Sequence, residues 1–375
     1  MAEPTHTTQM RIGRYHVEGK LGEGGMAETW LCRLHGAKGF TKQVVIKTLK
    51  AECRDRESLV MFADEARIGS KLEHPNIPRV LEFGEILEVP YLVQEYVEGP
   101  SLFHLFRRQK LVRLFDLRLG CRIVSDIARA LHYAYHAVDD DGRTLHVVHR
   151  DVSPSNVLVS KRGPSKLIDF GVSTFEDRET HTRAGVLKGK LRYMAPEVLM
   201  RDEITHRSDL YSLGIVLYAL CTGEQPWSGV DEVPDRLRGA LVPPSTRRTE
   251  VDPTLEGIVL RCLELDPTRR FANGNELADA LDEWLEANGG PMTDEAVAER
   301  VAALFPDGPK DWVSGFDLTA LSAIGTRHQP RPATTNPWAF VLAGAVGLLA
   351  VSSVLLVAAT GAAVYLWPRP APPAP

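Results

Sequence analysis

Residues His146 to Gly171 read H-V-V-H-R-D-V-S-P-S-N-V-L-V-S-K-R-G-P-S-K-L-I-D-F-G. Short apolar runs flank an acid, an amide and an acid: Asp151, Asn156 and Asp169. Their spacing places them on turns between short strands, where side chains face outward and not into a core. Phosphoryl transfer uses such a trio. One group orients the attacking hydroxyl, and oxygen donors hold a Mg²⁺ that bridges phosphates. Asp and Asn also cap ordinary turns, so no single one of them decides the matter. The ordered set does.

That set, His149-Arg150-Asp151, Asn156 and Asp169-Phe170-Gly171, resembles the catalytic loop and D-F-G segment of bacterial eukaryotic-like (Hanks-type) serine/threonine protein kinases. The resemblance implies an α+β bilobal fold: a small antiparallel sheet with one main helix, then a larger, mostly helical lobe. It implies ATP and Mg²⁺ as cofactors and proteins as substrates. Asp151 becomes the group that receives or orients the substrate hydroxyl, and Asn156 and Asp169 the metal ligands.

Upstream, Y-H-V-E-G-K-L-G-E-G-G-M-A-E-T-W-L-C-R is strand-like and interrupted by glycine. Gly22, Gly24 and Gly25 sit in a turn where bare backbone can approach phosphate oxygens. By resemblance this turn, with Leu21 and Glu23, covers the nucleotide; the third glycine of the family pattern is Ala27 here, and Thr29 replaces a valine. The next strand carries V-V-I-K. Lys47 stands among apolar neighbours and needs a partner. The resemblance supplies a helix glutamate, Glu65, from E-A-R-I-G-S-K-L-E-H-P-N-I, with Asp64 beside it as a rival. Apolar residues Leu59, Phe62, Ala66, Ile68 and Leu72 suit a helix over 56–72. In P-Y-L-V-Q-E-Y-V-E-G, Gln94 falls at the gatekeeper position, and main chain at Glu95 and Val97 is expected to pair with adenine.

Leu117 to Val138 is a long amphipathic helix pattern. The polar stretch from Asp169 to Glu197 resembles an activation segment, with Thr180 and Thr182 as candidate phosphosites that Arg150 could bind. The near-continuous apolar run S-D-L-Y-S-L-G-I-V-L-Y-A-L-C-T-G carries one acid, Asp209, which must be hydrogen-bonded; in the family it holds the catalytic loop. Arg270 matches the arginine that pairs with the A-P-E glutamate, Glu197. Two departures stand together. Ser153 replaces the loop lysine, and Lys190 replaces the threonine expected after Gly189. The reading is a swap, with the Lys190 ammonium serving where Ser153 leaves no cation.

The expected organisation is a polar tail (1–14), the kinase-like domain (15–285), a Pro- and Thr-rich juxtamembrane linker with one helix after Thr293 (286–336), a transmembrane helix (337–367) and a Pro-rich tail (368–375). Pro337 to Pro368 carries no charged residue, well beyond the roughly 18 apolar residues a spanning helix needs. Trp338, Tyr365 and Trp367 sit at its ends like an interfacial belt. Ala343-x-x-x-Gly347 suits helix pairing, so a homodimer is an expected partner. The first residues lack the apolar run of a signal peptide. ATP use places the catalytic part in the cytoplasm, anchored at a bacterial inner membrane. The net charge of −5 argues against nucleic acid as a partner, and five dispersed cysteines suit buried thiols in a reducing compartment. Two other readings stay open: a nucleotide-binding pseudokinase scaffold at the membrane, and a small-molecule phosphotransferase, against which the A-P-E segment, Asp209 and Arg270 argue.

Overall fold

A computed structural model describes residues 10–110, 115–170, 191–227, 232–306 and 308, all within one compact unit, Met1–Gly325. Strands β1 (Arg11–Ile12), β2 (Tyr15–Glu23), β3 (Ala27–His35), β4 (Thr41–Leu49), β5 (Val80–Ile86) and β6 (Val89–Glu95) form an antiparallel sheet in the order β1-β2-β3-β4-β6-β5. Leu87 and Glu88 both take positive φ between β5 and β6, the backbone twist that a two-residue hairpin demands. The sheet curls until its ends meet. Tyr15 on β2 donates to the Glu82 carboxylate on β5 at 2.8 Å, and Tyr91 on β6 donates to it at 2.7 Å. Helix α1 (Arg56–Gly69) starts at an Asp55 cap that accepts from Ser58 N. It lays Phe62 and Ala66 against Leu49 and Leu92.

The second lobe is built on helices α2 (Leu102–Lys110), α3 (Leu117–His136), α4 (Pro196–Met200), α5 (His206–Thr222), α6 (Glu232–Leu237), α7 (Pro253–Cys262), α8 (Gly274–Ala287) and α9 (Asp294–Leu304), with a hairpin of β7 (Val157–Val159) and β8 (Ser165–Leu167) on α3. α5 is the centre: every residue from Ser208 to Thr222 is buried. A helix apolar on all sides must lie inside its lobe, and its ends are set by the Thr205–Ser208 capping box and by Gly223 at φ 75°. All five cysteines are free and buried, and burial pushes the Cys221 and Cys262 thiols to about 12.

Three boundaries differ from the sequence expectations. Regular structure reaches into the expected 1–14 tail: Ile12 is buried and pairs with Tyr15 across a turn at Gly13, φ 55°. Two residues carry no periodicity, so this strand was not visible in the pattern. α1 stops at Gly69, where a Cβ would lie 2.8 Å from Val80. Leu72 therefore leaves the helix face and joins the core of the second lobe. Last, the stretch from 286 is not linker throughout. Met292, Val297, Val301 and Phe305 are buried in the main core. α9 is tied down by Arg122 to Asp294 at 2.6 Å, Arg300 to Asp116 at 2.7 Å and Arg108 to the Leu304 carbonyl at 3.1 Å. No helix among the described residues is long and apolar enough to cross a membrane; the expected span 337–367 lies outside them.

Candidate active site

Lys47 sits on the face of β4 that also carries Leu49, toward α1. Its ammonium is 2.6 Å from Glu65 and 2.7 Å from Asp169. Asp64 turns away to Arg67 at 2.8 Å, so Glu65 is the helix partner. Burial opposes the charge on Lys47, but Asp169 and Glu65 more than offset it, and the ammonium is held above its usual range. Burial pushes Glu65 up as well; Lys47 opposes this, while the nearby Asp169 adds to it. One cation thus serves two carboxylates from two lobes.

The loop carrying Asp151 hangs from α5. Asp209, 2% exposed, accepts from the His149 and Arg150 amides, each at 2.7 Å. The His149 ring nitrogen Nε2 is 2.9 Å from the Ile168 carbonyl, its Nδ1 accepts from the Asp151 amide at 3.2 Å, and the ring packs edge-on against Phe170. One histidine thereby fixes the Asp151 loop to the Asp169 segment. Arg150 and Asp169 both sit at φ 63°, a conformation that costs non-glycine residues energy and that persists where surroundings enforce it. The Asn156 amide nitrogen donates to the Asp151 carbonyl at 2.8 Å, a bond that uses the nitrogen end of the amide and not its oxygen. Ser153 is buried and its carbonyl accepts from Asn156 N.

Over the cleft, Gly24 N bonds the Ala27 carbonyl at 2.8 Å to close the glycine turn beyond Leu21 and Gly22. Glu23 binds Lys20 at 2.8 Å and Lys50 at 2.6 Å, and these two lysines hold its carboxyl at about 2. Behind the cleft, Gln94 lines a pocket with Glu65, Leu72, Ile77, Asp169 and Phe170. The Glu95 amide donates to the Arg79 carbonyl at 2.9 Å, so it is not the group left for a base. The Glu95 carboxylate takes Lys166 at 3.2 Å, and Val97 is buried. Gly171, Thr180, Thr182 and Lys190 lie outside the described residues.

Farther out, Arg270 is 1% exposed and grips Glu197 through two bonds, 2.6 and 2.9 Å, while Ser208 adds a third at 2.8 Å. Two participants escaped the sequence reading. Asp126 on α3 accepts from Arg122 at 3.0 Å and from Ser165 N at 2.9 Å, anchoring the β7–β8 hairpin. Arg236 on α6 binds the Leu191 and Met194 carbonyls. Neither has a sequence signal beyond a charge in an amphipathic pattern.

Asn156 and Asp169 offer oxygen donors, and among the described residues no cluster of three or more His, Cys, Asp or Glu could hold a metal by itself. Two protein oxygens completed by phosphates is how Mg²⁺ is commonly bound beside a nucleotide. The residues therefore fit Mg²⁺ with a polyphosphate, and Lys47 fits the phosphates.

The protein kinase domain family matches residues 15–282. The tyrosine-protein kinase MasK of Myxococcus xanthus is 38% identical over 278 residues, 73% of this chain and 43% of its own length. The serine/threonine-protein kinase PknB of Mycolicibacterium smegmatis is 29% identical over 349 residues, 86% of this chain and 52% of its own. The crystal structure of the Mycobacterium tuberculosis PknI kinase domain superposes with a TM-score of 0.55 at 25% identity, covering 76% of this chain and 99% of that one. The chain spans about half the length of the curated relatives it matches.

Proposed function

We propose, for a chain that belongs to the protein kinase family, that it transfers the γ-phosphoryl group of ATP to serine and threonine hydroxyls of proteins while anchored to a membrane through residues 337–367. It is a protein kinase domain with serine/threonine kinase homologues. The observation that carries the transfer reading is the contact of Lys47 with both Glu65 and Asp169, beside a loop whose shape Asp209 fixes. A scaffold without chemistry has no need to hold a strained Asp169 on a buried lysine.

Lys47 would bind the α- and β-phosphates. Asp151 would orient the acceptor hydroxyl and take its proton as oxygen bonds to the γ-phosphorus; the bond from that phosphorus to the bridging oxygen breaks, and ADP leaves. Asn156 and Asp169 would hold Mg²⁺, which when bound would supply charge neutralisation at the phosphates. Lys190, with Ser153 as its counterpart, would add the cation the loop lacks; Lys190→Ala should cut kcat by roughly 10- to 1,000-fold, and Ser153→Lys with Lys190→Thr should restore much of it. Thr180 and Thr182 are the proposed autophosphorylation sites. The long uncharged, mostly apolar span supports a single-pass anchor with the catalytic domain in the cytoplasm, and Ala343 and Gly347 support pairing of two chains.

The test is incubation of the whole chain with Mg-ATP, followed by phosphoamino-acid analysis and site mapping. Phosphoserine and phosphothreonine, with Thr180 or Thr182 among the sites, are expected. Phosphotyrosine alone, the residue class in the name of the MasK relative, would overturn the serine/threonine reading.

A further inference from the structure

Asn156 and Asp169 stand at the two feet of one hairpin. Asn156 comes just before β7 and Asp169 just after β8. Ile168 N bonds the Asn156 carbonyl at 2.9 Å, and Val157 pairs with Leu167 in the register. The spacing of the two side chains therefore follows the hairpin. A two-stranded hairpin is marginal by itself, so its outside supports decide how well that spacing is kept.

The main support is at Ser165 on β8. Its amide donates to the Asp126 carboxylate at 2.9 Å, and its carbonyl accepts from Asn76 Nδ2 at 2.8 Å. Asp126 is 7% exposed, and a carboxylate at that depth needs a cation. Arg122, one turn earlier on α3, supplies it. The guanidinium is committed on three arms: Nε to Asp126 at 3.0 Å, Nη1 to the Met292 carbonyl, and Nη2 to Asp294 at 2.6 Å. The last two partners belong to α9 and the residues that lead into it.

α9 also meets the hairpin directly. Gly163, in the turn between β7 and β8, has φ 108°, and a Cβ there would lie 2.3 Å from the Asp294 carbonyl oxygen. Only glycine lets the two backbones come so near. The start of α9 thus touches the turn of the hairpin with its main chain, and reaches β8 through Arg122 and Asp126.

We infer that Arg122 is a positioning residue for the metal-binding pair: together with docked α9 it holds the β7–β8 hairpin so that Asn156 and Asp169 keep the spacing that Mg²⁺ requires. The inference rests on the protein-kinase reading above. It gives the start of α9 a task in the chemistry as well as in the core. A planar fork suits that task, because a lysine's point charge cannot serve three partners at fixed places.

The experiment uses the whole chain and two readouts. One is amide hydrogen exchange at residues 165–168 without metal or nucleotide. The other is the Mg²⁺ concentration for half-maximal transfer to a peptide acceptor, measured beside the peptide KM. Arg122→Met should speed exchange at 165–168 by about tenfold relative to α5. It should raise the Mg²⁺ requirement about fivefold, on the scale of losing a group that orients a metal ligand, and leave the peptide KM within about twofold. Arg122→Lys should fall between. Asp294→Ala should speed the same amides about threefold, and should add little to Arg122→Met because both act through one guanidinium. Where Arg122→Met does not fold, Asp294→Ala decides, since that carboxylate is 44% exposed. Exchange at 165–168 that is unchanged, or raised equally in α5, overturns the inference alone, as does an unchanged Mg²⁺ requirement. A wild-type chain that transfers to no peptide overturns the kinase reading and this inference with it.

Discussion

Among the described residues two glutamates pair with a buried cation, and the two pairs are opposites. In the second lobe Glu197 meets a planar guanidinium face to face, with a hydroxyl on the same carboxylate and further bonds from Arg270 to the Glu264, Leu265 and Arg207 carbonyls. Every arm is occupied, and the pair can only hold. In the cleft Glu65 shares one flexible ammonium with Asp169, and that leaves the ammonium one of its three donors for phosphate. The carboxyls register the difference. Burial pushes Glu197 up, but Arg270 pulls it down further, and it ends below its ordinary 4.5. Glu65 ends above its own. A well-satisfied pair stabilises the fold, whereas a shared one stores cost for use in chemistry.

The hardest test of this contrast is Lys47→Met. It should reduce transfer by roughly a thousandfold or more, while the unfolding midpoint holds within a few degrees, because the side chain serves phosphate and not the core. A Lys47→Met chain with wild-type kcat would break the comparison at its first term. Glu197→Gln should do the reverse. Breaking a buried pair leaves Arg270 uncompensated at a cost of about 3–5 kcal/mol. A group with a depressed folded value contributes stability in full above its ordinary 4.5 and loses it as pH falls from there through the lowered folded value. The gap between wild type and Glu197→Gln should thus be widest near neutral pH and close on acidification; denaturant titrations at several pH values measure it.

Glu65→Gln makes the same chemical change with the other sign. A carboxyl raised by burial loses relative stability as pH rises through its folded value, so at neutral pH the amide should fold at least as stably as the acid. Its kcat should nevertheless fall by about a hundredfold, on the scale of one misplaced electrostatic contact. A clear drop in melting temperature for Glu65→Gln would make the two pairs alike.

What the sequence disclosed follows the same division. Lys47 and Asp209 announce themselves as polar residues in apolar runs; their partners, and the pairing of Glu197 with Arg270, come from the resemblance to the kinase motif set, and the structure shows those contacts. Arg236 could not be located. Its task is to bind two carbonyls of a turn 42 and 45 residues away in sequence, and nothing local to α6 encodes that. The packing of α9 was hidden for a related reason. Val297, Val301 and Phe305 are ordinary helix residues until α2 and α3 stand opposite them. The β1 strand escaped because two residues have no period.

A third pair, the exposed one, sets the lower end of the scale. Glu23 in the glycine turn is held by Lys20 and Lys50, but its side chain is 47% exposed, and solvent weakens such contacts. Losing Lys50 should leave the fold unmoved. It should still matter slightly to nucleotide, since on the proposed reading a glutamate released in this turn repels the phosphates that the turn would cover. Lys50→Met should raise the ATP KM by about two- to fivefold at low ionic strength, and the effect should shrink as salt shortens the Debye length to roughly 8 Å or less. Lys50→Met with Glu23→Gln should return the KM toward wild type, because the repelling charge is gone. A rise that persists in the double variant would assign Lys50 a direct role with nucleotide, and would move this exposed pair into the same class as Lys47 and Glu65.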